Sequence, residues 1–458
     1  MNKKLVTLAV AAALAAPAIA SADAILYGKL NVAIDYMDQD SVMSRAQFGD
    51  KIGYDDDYRA AAAYATTNGV FNKQVWLNQI QNIQTIGIPA VIDGKPGVKY
   101  INVDTGIGFQ KPLSEGFNGW GLSGNQGTRG YNSNPFIPSP QGPSSRIGVK
   151  GSEDLGNGIK AIYQVEFGIS LTDTQNTAVT GNEPITMRNS FVGLAGNFGT
   201  VLMGRHDTPL KISTGPLDLF ADTMADYNNT VGFQDLRADN VIAYISPSWT
   251  GFQLAAAVHA GGGATAFGTY NEDSDSLAEA YSLAAIYKNG PWYAGLAYES
   301  LGEALAGVTD AQADAPGYFG SDWNKVRVGL GILDWNGFSL TGIYENWDGG
   351  YWLDDVGNDL WQVQAGYNFG NMAVKAMYGM SELDGDSFQD YSWSTWAVGG
   401  DYNFSKRTKA FLLYTGNDLD DVGLAYGNYD NTGKLTDVGI QDYSLDWDGF
   451  QLGMMHSF

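Results

Sequence analysis

The chain ends on a segment in which apolar residues alternate with small or polar ones. From Phe450 to Phe458, a β-strand would send these two kinds of side chain to opposite faces. A soluble domain gains little from such a strand at its end, because chain termini usually fray. A transmembrane β-barrel needs its last strand to pair with its first, because an open sheet edge cannot face lipid. The alternation therefore favours an all-β transmembrane barrel.

Similar alternating segments of about ten residues recur along the chain. In residues 159–167, Ile, Ala, Tyr, Val and Phe share one face, whereas Lys160, Gln164 and Glu166 lie on the other. Short turns alternate with long polar connectors, which is typical of outer-membrane barrels and not of Greek-key sandwiches. The pattern predicts a sixteen-stranded antiparallel barrel that keeps an aqueous lumen. The predicted strands are 25–36, 145–153, 158–170, 186–196, 198–206, 237–247, 251–261, 278–288, 291–301, 322–334, 337–346, 359–369, 371–382, 391–404, 406–416 and 444–458.

One predicted external connector, residues 37–144, is far longer than ordinary loops. It contains a possible hairpin around 90–103 and a Gly-, Asn- and Pro-rich stretch at 116–143. Two interpretations remain open, a large external cap or a lid that partly plugs the entrance. If the hairpin joined the wall, the barrel would have eighteen strands instead of sixteen.

The first 22 residues have the features of an export signal. Lys3 and Lys4 precede the apolar stretch Leu5–Ala16, which is too short for a membrane anchor, and small residues follow at 20–22. We expect residues 1–22 to be a signal peptide and residues 23–458 to form the barrel; cleavage after Ala20 or Ala24 is an alternative.

Charge and cysteine content narrow the possible partners. The net charge of −24 argues against nucleic acid, because binding phosphates requires a basic surface. The absence of cysteine excludes structural disulfides. Acidic runs at 55–57, 354–355 and 420–421 are typical of solvated loops, and a divalent cation bridging them to lipopolysaccharide is an alternative.

Several short segments, in this order, resemble the trimeric Gram-negative porins. The resemblance covers nearly the whole mature chain apart from residues 37–144, and Phe458 matches the aromatic end of those proteins. The matching segments are Leu26-Tyr27-Gly28-Lys29, Ser145-Arg146-Ile147-Gly148-Val149-Lys150-Gly151, Arg188-Asn189-Ser190-Phe191-Val192-Gly193-Leu194 and Gly204-Arg205-His206-Asp207-Thr208-Pro209-Leu210.

The resemblance implies a homotrimeric outer-membrane channel for passive diffusion of ions and small hydrophilic solutes, without cofactor or metal. It also implies that the third external loop, here residues 206–236, folds inward and places carboxylates opposite basic wall residues. Asp218, Asp222 and Asp226 are the candidates, and their spacing of four would put them on one face of a short helix. The alternative is a solvated face outside the pore.

The basic wall is supported by strand phase as well as by resemblance. Lys29 and Arg146 alternate against apolar neighbours, and Arg188 is placed opposite Phe191, so all three should face the lumen. Facing lipid would cost each charge about 2–4 kcal/mol. The resemblance adds Arg237. These residues form either a selective constriction or a polar lining without a selective role. The acidic loops lead us to expect a weak cation preference.

Three other functions compete with a diffusion channel. Catalysis is not expected, because three scattered His residues occur without a Gly-x-Ser-x-Gly elbow. A substrate-selective channel for sugars or anions would use tryptophans as stacking surfaces, although placement at the membrane interface explains them more simply. These tryptophans are Trp347, Trp352, Trp361, Trp393 and Trp396. A surface adhesin would act through residues 37–144.

The expected partners follow from the same resemblance. They are outer-membrane lipid and lipopolysaccharide, further copies of the chain, and the outer-membrane assembly machinery. By resemblance, Phe458 is the signal that this machinery recognises.

Overall fold

The computed structural model describes the barrel wall and parts of its connectors. The described residues are 24–39, 85–92, 95–102, 117–123, 144–172, 185–233, 235–260, 277–278, 280–302, 323–349, 356–385, 391–419, 422–429, 435–443 and 446–458. The predicted signal peptide, the acidic runs at 55–57, 354–355 and 420–421, and Trp352 lie outside these ranges.

The described chain is almost entirely β-structure. The strands, in chain order, are β1 (Ile25–Gln39), β2 (Thr85–Ile92), β3 (Lys95–Asn102), β4 (Phe117–Ser123), β5 (Ser145–Gly156), β6 (Ile159–Ile169), β7 (Ile185–Gly196), β8 (Gly199–Asp207), β9 (Arg237–Ile245), β10 (Phe252–His259), β11 (Ala280–Asn289), β12 (Trp292–Leu301), β13 (Trp323–Trp335), β14 (Phe338–Asp348), β15 (Val356–Phe369), β16 (Met372–Gly385), β17 (Tyr391–Asn403), β18 (Thr408–Leu419), β19 (Val422–Tyr429), β20 (Leu435–Tyr443) and β21 (Trp447–Ser457). Among the described residues, no helix is long and apolar enough to cross a bilayer.

Sixteen of these strands form a closed antiparallel wall, which confirms the predicted barrel. They are β1, β5 to β18 and β21, each paired with its neighbours along the chain. The wall closes where β1 pairs with β21, in a register that runs from Lys29 opposite Ser457 to Gln39 opposite Trp447. The backbones of Gly28 and Phe458 also exchange two hydrogen bonds of 3.1 Å. The last strand therefore seals the barrel against the first.

The other edge of β1 is shared by two strands. β5 pairs with residues 25–29, and β4 pairs with residues 33–39. Where the partner changes, the Ser145 hydroxyl accepts a hydrogen bond from Asn31 N at 2.9 Å and donates one to Asn31 O at 3.0 Å. A short strand from the 37–144 connector thus completes this part of the wall.

Two hairpins lie outside the wall. β2 pairs with β3, and β19 pairs with β20, each as a separate two-stranded sheet. The predicted hairpin near residues 90–103 therefore exists, but it does not join the barrel. The eighteen-stranded alternative is wrong, because β2 and β3 form a separate sheet. The strand of the 37–144 connector that does join the main sheet is β4.

Along each wall strand, side chains alternate between lipid and lumen. In β13, Val326, Val328 and Leu330 are exposed on the outer face, whereas Lys325 and Arg327 are buried on the inner face. Charges point inward because exposing them to hydrocarbon would cost several kcal/mol. The charged residues of this strand therefore face the lumen.

A segment between β8 and β9 folds against the inner wall and occupies part of the lumen. It contains a short helix, α1 (Pro209–Thr214), a 3₁₀ turn (Gly215–Leu217) and a second short helix, α2 (Tyr227–Thr230). We call residues 208–236 the inward segment. Its hydrogen-bond partners on the wall include Lys29, Asn31, Ser282, Tyr293, Arg327, Thr341, Gln364, Lys375, Trp393 and Gln451.

An apolar core fixes the inward segment to the wall. Leu217, Val231 and Phe233 pack with buried residues of β12 to β18, including Trp347 and Trp393. Trp347 and Trp393 are 2% and 3% exposed, so their predicted place at the membrane interface is wrong. Trp361, by contrast, is exposed on the outer face. The side of the lumen next to these strands is therefore packed rather than aqueous at this level.

Gly295 of β12 lies directly beneath the inward segment. An added Cβ would overlap the backbone oxygen of Ser213 and come within 3.2 Å of its carbonyl carbon. The Tyr293 hydroxyl donates to the same oxygen at 2.9 Å. Absence of a side chain at Gly295 therefore lets helix α1 pack directly on the wall.

We predict that Gly295→Ala will destabilise the folded barrel by about 1–3 kcal/mol, the usual cost of overpacking a filled site. The measurement is urea-induced unfolding in detergent micelles. Gly342→Ala is the matched control, since the nearest atom to an added Cβ there is Gln362 O at 3.7 Å. Equal stability of the two variants would contradict the packing.

Candidate functional site

The tip of the inward segment reaches the wall at Asp222. Its carboxylate forms an ion pair with Lys29 and lies 3.7 Å from Arg146 Nη1. Asn31 Nδ2 donates to the backbone oxygen of Asp222 at 2.8 Å. Lys29 and Arg146 are direct partners in the β1–β5 ladder, so one carboxylate meets two adjacent bases. The segment and the basic wall are therefore in contact here.

The remaining space lies beside this contact. The inward segment follows the inner wall from β11 through β17 to β21 and β1, and Leu236 packs on an apolar cluster of β8 to β10, so the wall of β5 to β7 borders what is left of the lumen. A wide sixteen-stranded barrel is thereby reduced to an off-centre gap. The side chains of that gap are the candidate functional site.

Arg188 faces this gap, but the alternation with Phe191 from which its inward orientation was predicted is not present. Its Nε donates to Glu166 Oε1 at 2.7 Å. Val192, at 65% exposure, faces outward, whereas Phe191 packs inward beside Leu202. The expectation that Phe191 lies on the opposite face from Arg188 is wrong. An irregularity in the β6–β7 register between Val165 and Phe167 shifts the alternation.

Arg237 lies at the base of the inward segment, where the chain enters β9. Its Nε is 2.9 Å from Asp207 Oδ1 and donates to Asn189 Oδ1 at 2.8 Å. Lys211 Nζ approaches the same Asp207 oxygen at 3.4 Å. Two bases and one carboxylate therefore hold the two ends of the segment together.

Asp218 and Asp226 occupy different positions from Asp222. The residues between Gly215–Leu217 and Tyr227–Thr230 are turns, so the three carboxylates do not share a helical face. Asp218 is buried and accepts hydrogen bonds from Phe220 N at 2.9 Å and Gln364 Nε2 at 3.0 Å. Asp226 is buried and caps α2 through Asn228 N at 3.1 Å. Both stabilise the segment from within.

Burial raises the pKa values of the Asp218 and Asp226 carboxyls above their ordinary value. For Asp218 the loss of hydration is the main cause of the higher pKa, and the nearby charge of Asp226 adds to it. Loss of hydration is also the main cause of the raised pKa of Asp226. Low dielectric surroundings favour the neutral form of a carboxyl group. Asp222, unlike these two carboxyls, pairs with Lys29 and Arg146 at the surface of the gap.

Sequence reasoning missed the residues that anchor the segment elsewhere. Arg327 is fully buried and contacts Asp235 and Glu345 at 2.5 Å each and Thr214 Oγ1 at 3.1 Å. Near the tip, Lys375 Nζ donates to Leu219 O at 2.8 Å. Strand phase would have placed Arg327 and Lys375 inward, but it says nothing about contacts with a distant loop.

The charges around the gap are unequal in number. The ion pairs described beside it join five bases to three acids, namely Lys29, Arg146, Arg188, Lys211 and Arg237 to Glu166, Asp207 and Asp222. Within the described part of the chain, no three His, Asp or Glu side chains come together as a metal site. The ion-paired bases and acids beside the gap can act on ions by charge.

Comparisons with known proteins agree with this architecture. A family model described as Gram-negative porin matches residues 102–421. The major outer membrane protein P.IB of Neisseria gonorrhoeae is 29% identical, over 58% of this chain and 76% of that protein. A P.IB protein of Neisseria meningitidis serogroup B is 31% identical, over 58% of this chain and 75% of that protein. The solved anion-selective porin from Comamonas acidovorans has a TM-score of 0.54 at 19% identity, covering 96% of this chain and 100% of that one.

We predict a specific pH dependence for the inward segment. Because the folded pKa of Asp218 lies above its ordinary value of 3.8, its contribution to stability is complete at lower pH and is lost as the pH rises. The free energy of unfolding of the wild type, relative to that of Asp218→Asn, should therefore fall above about pH 4.

Urea unfolding of both proteins at several pH values measures this difference, and subtraction removes the titration of groups that they share. If the difference in free energy of unfolding stays constant or grows with pH, the pKa of Asp218 is not raised in the folded protein, and the prediction is contradicted.

Proposed function

We propose that this chain, a member of the Gram-negative porin family, selects solutes at the gap beside Asp222. Its membership is shown by the family model, which matches more than half of the chain. Its general activity follows from that membership, namely passive diffusion through a channel in the cell outer membrane. The proposal concerns which residues narrow the channel and how they act. The observation that carries it is the contact of Asp222 with Lys29 and Arg146.

Size selection arises from the inward segment. The segment is held by an apolar core and by buried ion pairs, so it forms a rigid wall of the gap. Small hydrated solutes pass through the remaining space. Large or apolar solutes do not, because the gap excludes them by size and offers nothing in exchange for their lost hydration.

Charge selection arises from the excess of bases. We infer a weak anion preference at the gap, which replaces the weak cation preference expected from the acidic runs. Those runs lie outside the described residues, whereas Lys29, Arg146, Arg188, Lys211 and Arg237 surround the gap. At physiological ionic strength, screening limits the reach of distant loop charges to about 8 Å.

The competing functions receive less support. Trp347 and Trp393 are buried beneath the inward segment, so they offer no stacking surface for a sugar. The adhesin hypothesis depends on the 37–144 connector, most of which lies outside the described residues. No observation on the described part of the chain supports it. Related porins act as channels rather than enzymes, and we propose that this chain likewise has no catalytic activity.

The proposed assembly is a homotrimer in lipid and lipopolysaccharide. The homotrimer is what the resemblance to the trimeric Gram-negative porins implies. Support from the chain itself comes from the outward apolar residues of the wall, among them Ile34, Leu452 and Met454. We also propose that the assembly machinery recognises the β21 strand through Phe458, and that residues 1–22 are removed on export.

Planar-bilayer recording of the purified protein tests the function as a whole. It should show open channels whose conductance rises linearly with salt and whose insertion produces threefold steps. A heat-sensitive trimer band on a gel would support the assembly independently. Conductance that saturates with one solute class would favour a substrate-selective channel.

We predict that Arg146→Glu will lower the ratio of anion to cation permeability. A unit charge 4 Å from an ion contributes about 1 kcal/mol in water, so reversing it should change the ratio roughly fivefold or more. The reversal potential in a salt gradient measures this ratio.

Lys160→Glu is the control, because Lys160 is exposed beside the turn at 157–158 and lies six residues along β6 from Glu166. If both variants shift the reversal potential equally, general surface charge rather than the gap determines selectivity.

A further inference from the structure

The backbone of Asp222 adopts an uncommon conformation. Its φ angle is +61°, in the left-handed region that most residues other than glycine avoid. Asp tolerates this region better than most, but the conformation persists only when surrounding contacts hold it. The contacts that hold it also decide where the Asp222 carboxylate points.

Asp226 supplies one of these contacts from within the segment. Its Oδ2 accepts a hydrogen bond from Asp222 N at 2.9 Å, and its Oδ1 accepts one from Asn228 N at 3.1 Å. Its own N–H donates to Thr223 O at 3.1 Å. One buried carboxylate therefore joins the tip of the segment to the first turn of α2.

The opposite side of Asp222 is held by the wall. Asn31 Nδ2 donates to the Asp222 backbone oxygen at 2.8 Å, and Lys29 binds its carboxylate. The Asp222 peptide is thus fixed between Asp226 on one side and β1 on the other. Loss of either contact would leave the carboxylate free to leave the Lys29–Arg146 pair.

We propose that Asp226 is a positioning residue that sets the ion selectivity of the channel by holding Asp222 against the basic wall. Asp226 itself is 8% exposed and lies behind the tip, so it acts through Asp222 rather than by contact with the solute. This inference rests on the proposed role of Asp222 at the gap. The positioning role gives a reason for the buried Asp226 carboxylate, which does not line the gap but hydrogen-bonds the Asp222 backbone.

The test uses Asp226→Asn in the full-length channel. Asn caps helices as well as Asp does, so the bond to Asn228 is retained. Its amide NH₂ would then face Asp222 N–H and could not accept from it. We expect the permeability ratio to shift in the same direction as in Asp222→Asn, an isosteric variant that keeps a residue tolerant of left-handed backbone.

The double variant separates positioning from a direct charge effect. If Asp226 acts through Asp222, then Asp222→Asn combined with Asp226→Asn should shift the reversal potential no more than Asp222→Asn alone. If the charge of Asp226 acts on the ions directly, the two shifts add, and the proposal is overturned.

Asp218→Asn is the matched control. Asp218 lies in the same segment and is equally buried, but it accepts from Phe220 and Gln364 rather than from Asp222. An equal shift in this variant would mean that any loosening of the segment changes selectivity, and would overturn the proposal. Asp226→Ser, which keeps a helix cap but is too short to reach Asp222, replaces Asp226→Asn if the latter does not fold.

The outcomes distinguish this inference from the proposed function. If Asp222→Asn leaves the reversal potential unchanged, the role of Asp222 at the gap fails and this inference fails with it. If Asp222→Asn shifts the reversal potential and Asp226→Asn does not, only the positioning role of Asp226 is overturned.

Discussion

The structure depends on one constraint, that every backbone polar group within the membrane must be paired. Lipid offers no hydrogen bonds, so the sheet has to close on itself. The β1–β21 seam achieves this closure, and the opposite edge of β1 is covered in two parts by β5 and β4. A strand from a connector that sequence reasoning treated as external is thus part of the wall, because β5 alone covers only the first residues of β1.

Closure leaves a barrel wider than its side chains can fill, and the inward segment determines how much of it stays open. Apolar residues of the segment pack on β12 to β18, and Arg327 is buried with Asp235 and Glu345. A buried charge of this kind is tolerated only where partners surround it. The same packing that holds the segment leaves the gap on the side of β5 to β7, where Arg146 and Arg188 lie.

The sixteen wall strands were predictable because lipid and lumen impose a two-residue alternation on every strand. The inward orientation of Lys29 and Arg146 followed from the same rule. The rule fails at Arg188 and Phe191, where an irregularity in the β6–β7 register turns both side chains inward. It also says nothing about Trp347 and Trp393, since a tryptophan suits the membrane interface and a buried core alike.

The sequence by itself determined the barrel, its strand count and the inward orientation of Lys29 and Arg146, because all of these depend on the local alternation of apolar and polar residues. Only the tertiary structure decided which carboxylate meets the bases. Asp218, Asp222 and Asp226 look equivalent in a sequence with a spacing of four. Long-range contacts with Gln364, Lys29 and Arg146, together with the hydrogen bond between Asp226 and Asp222, give them different roles.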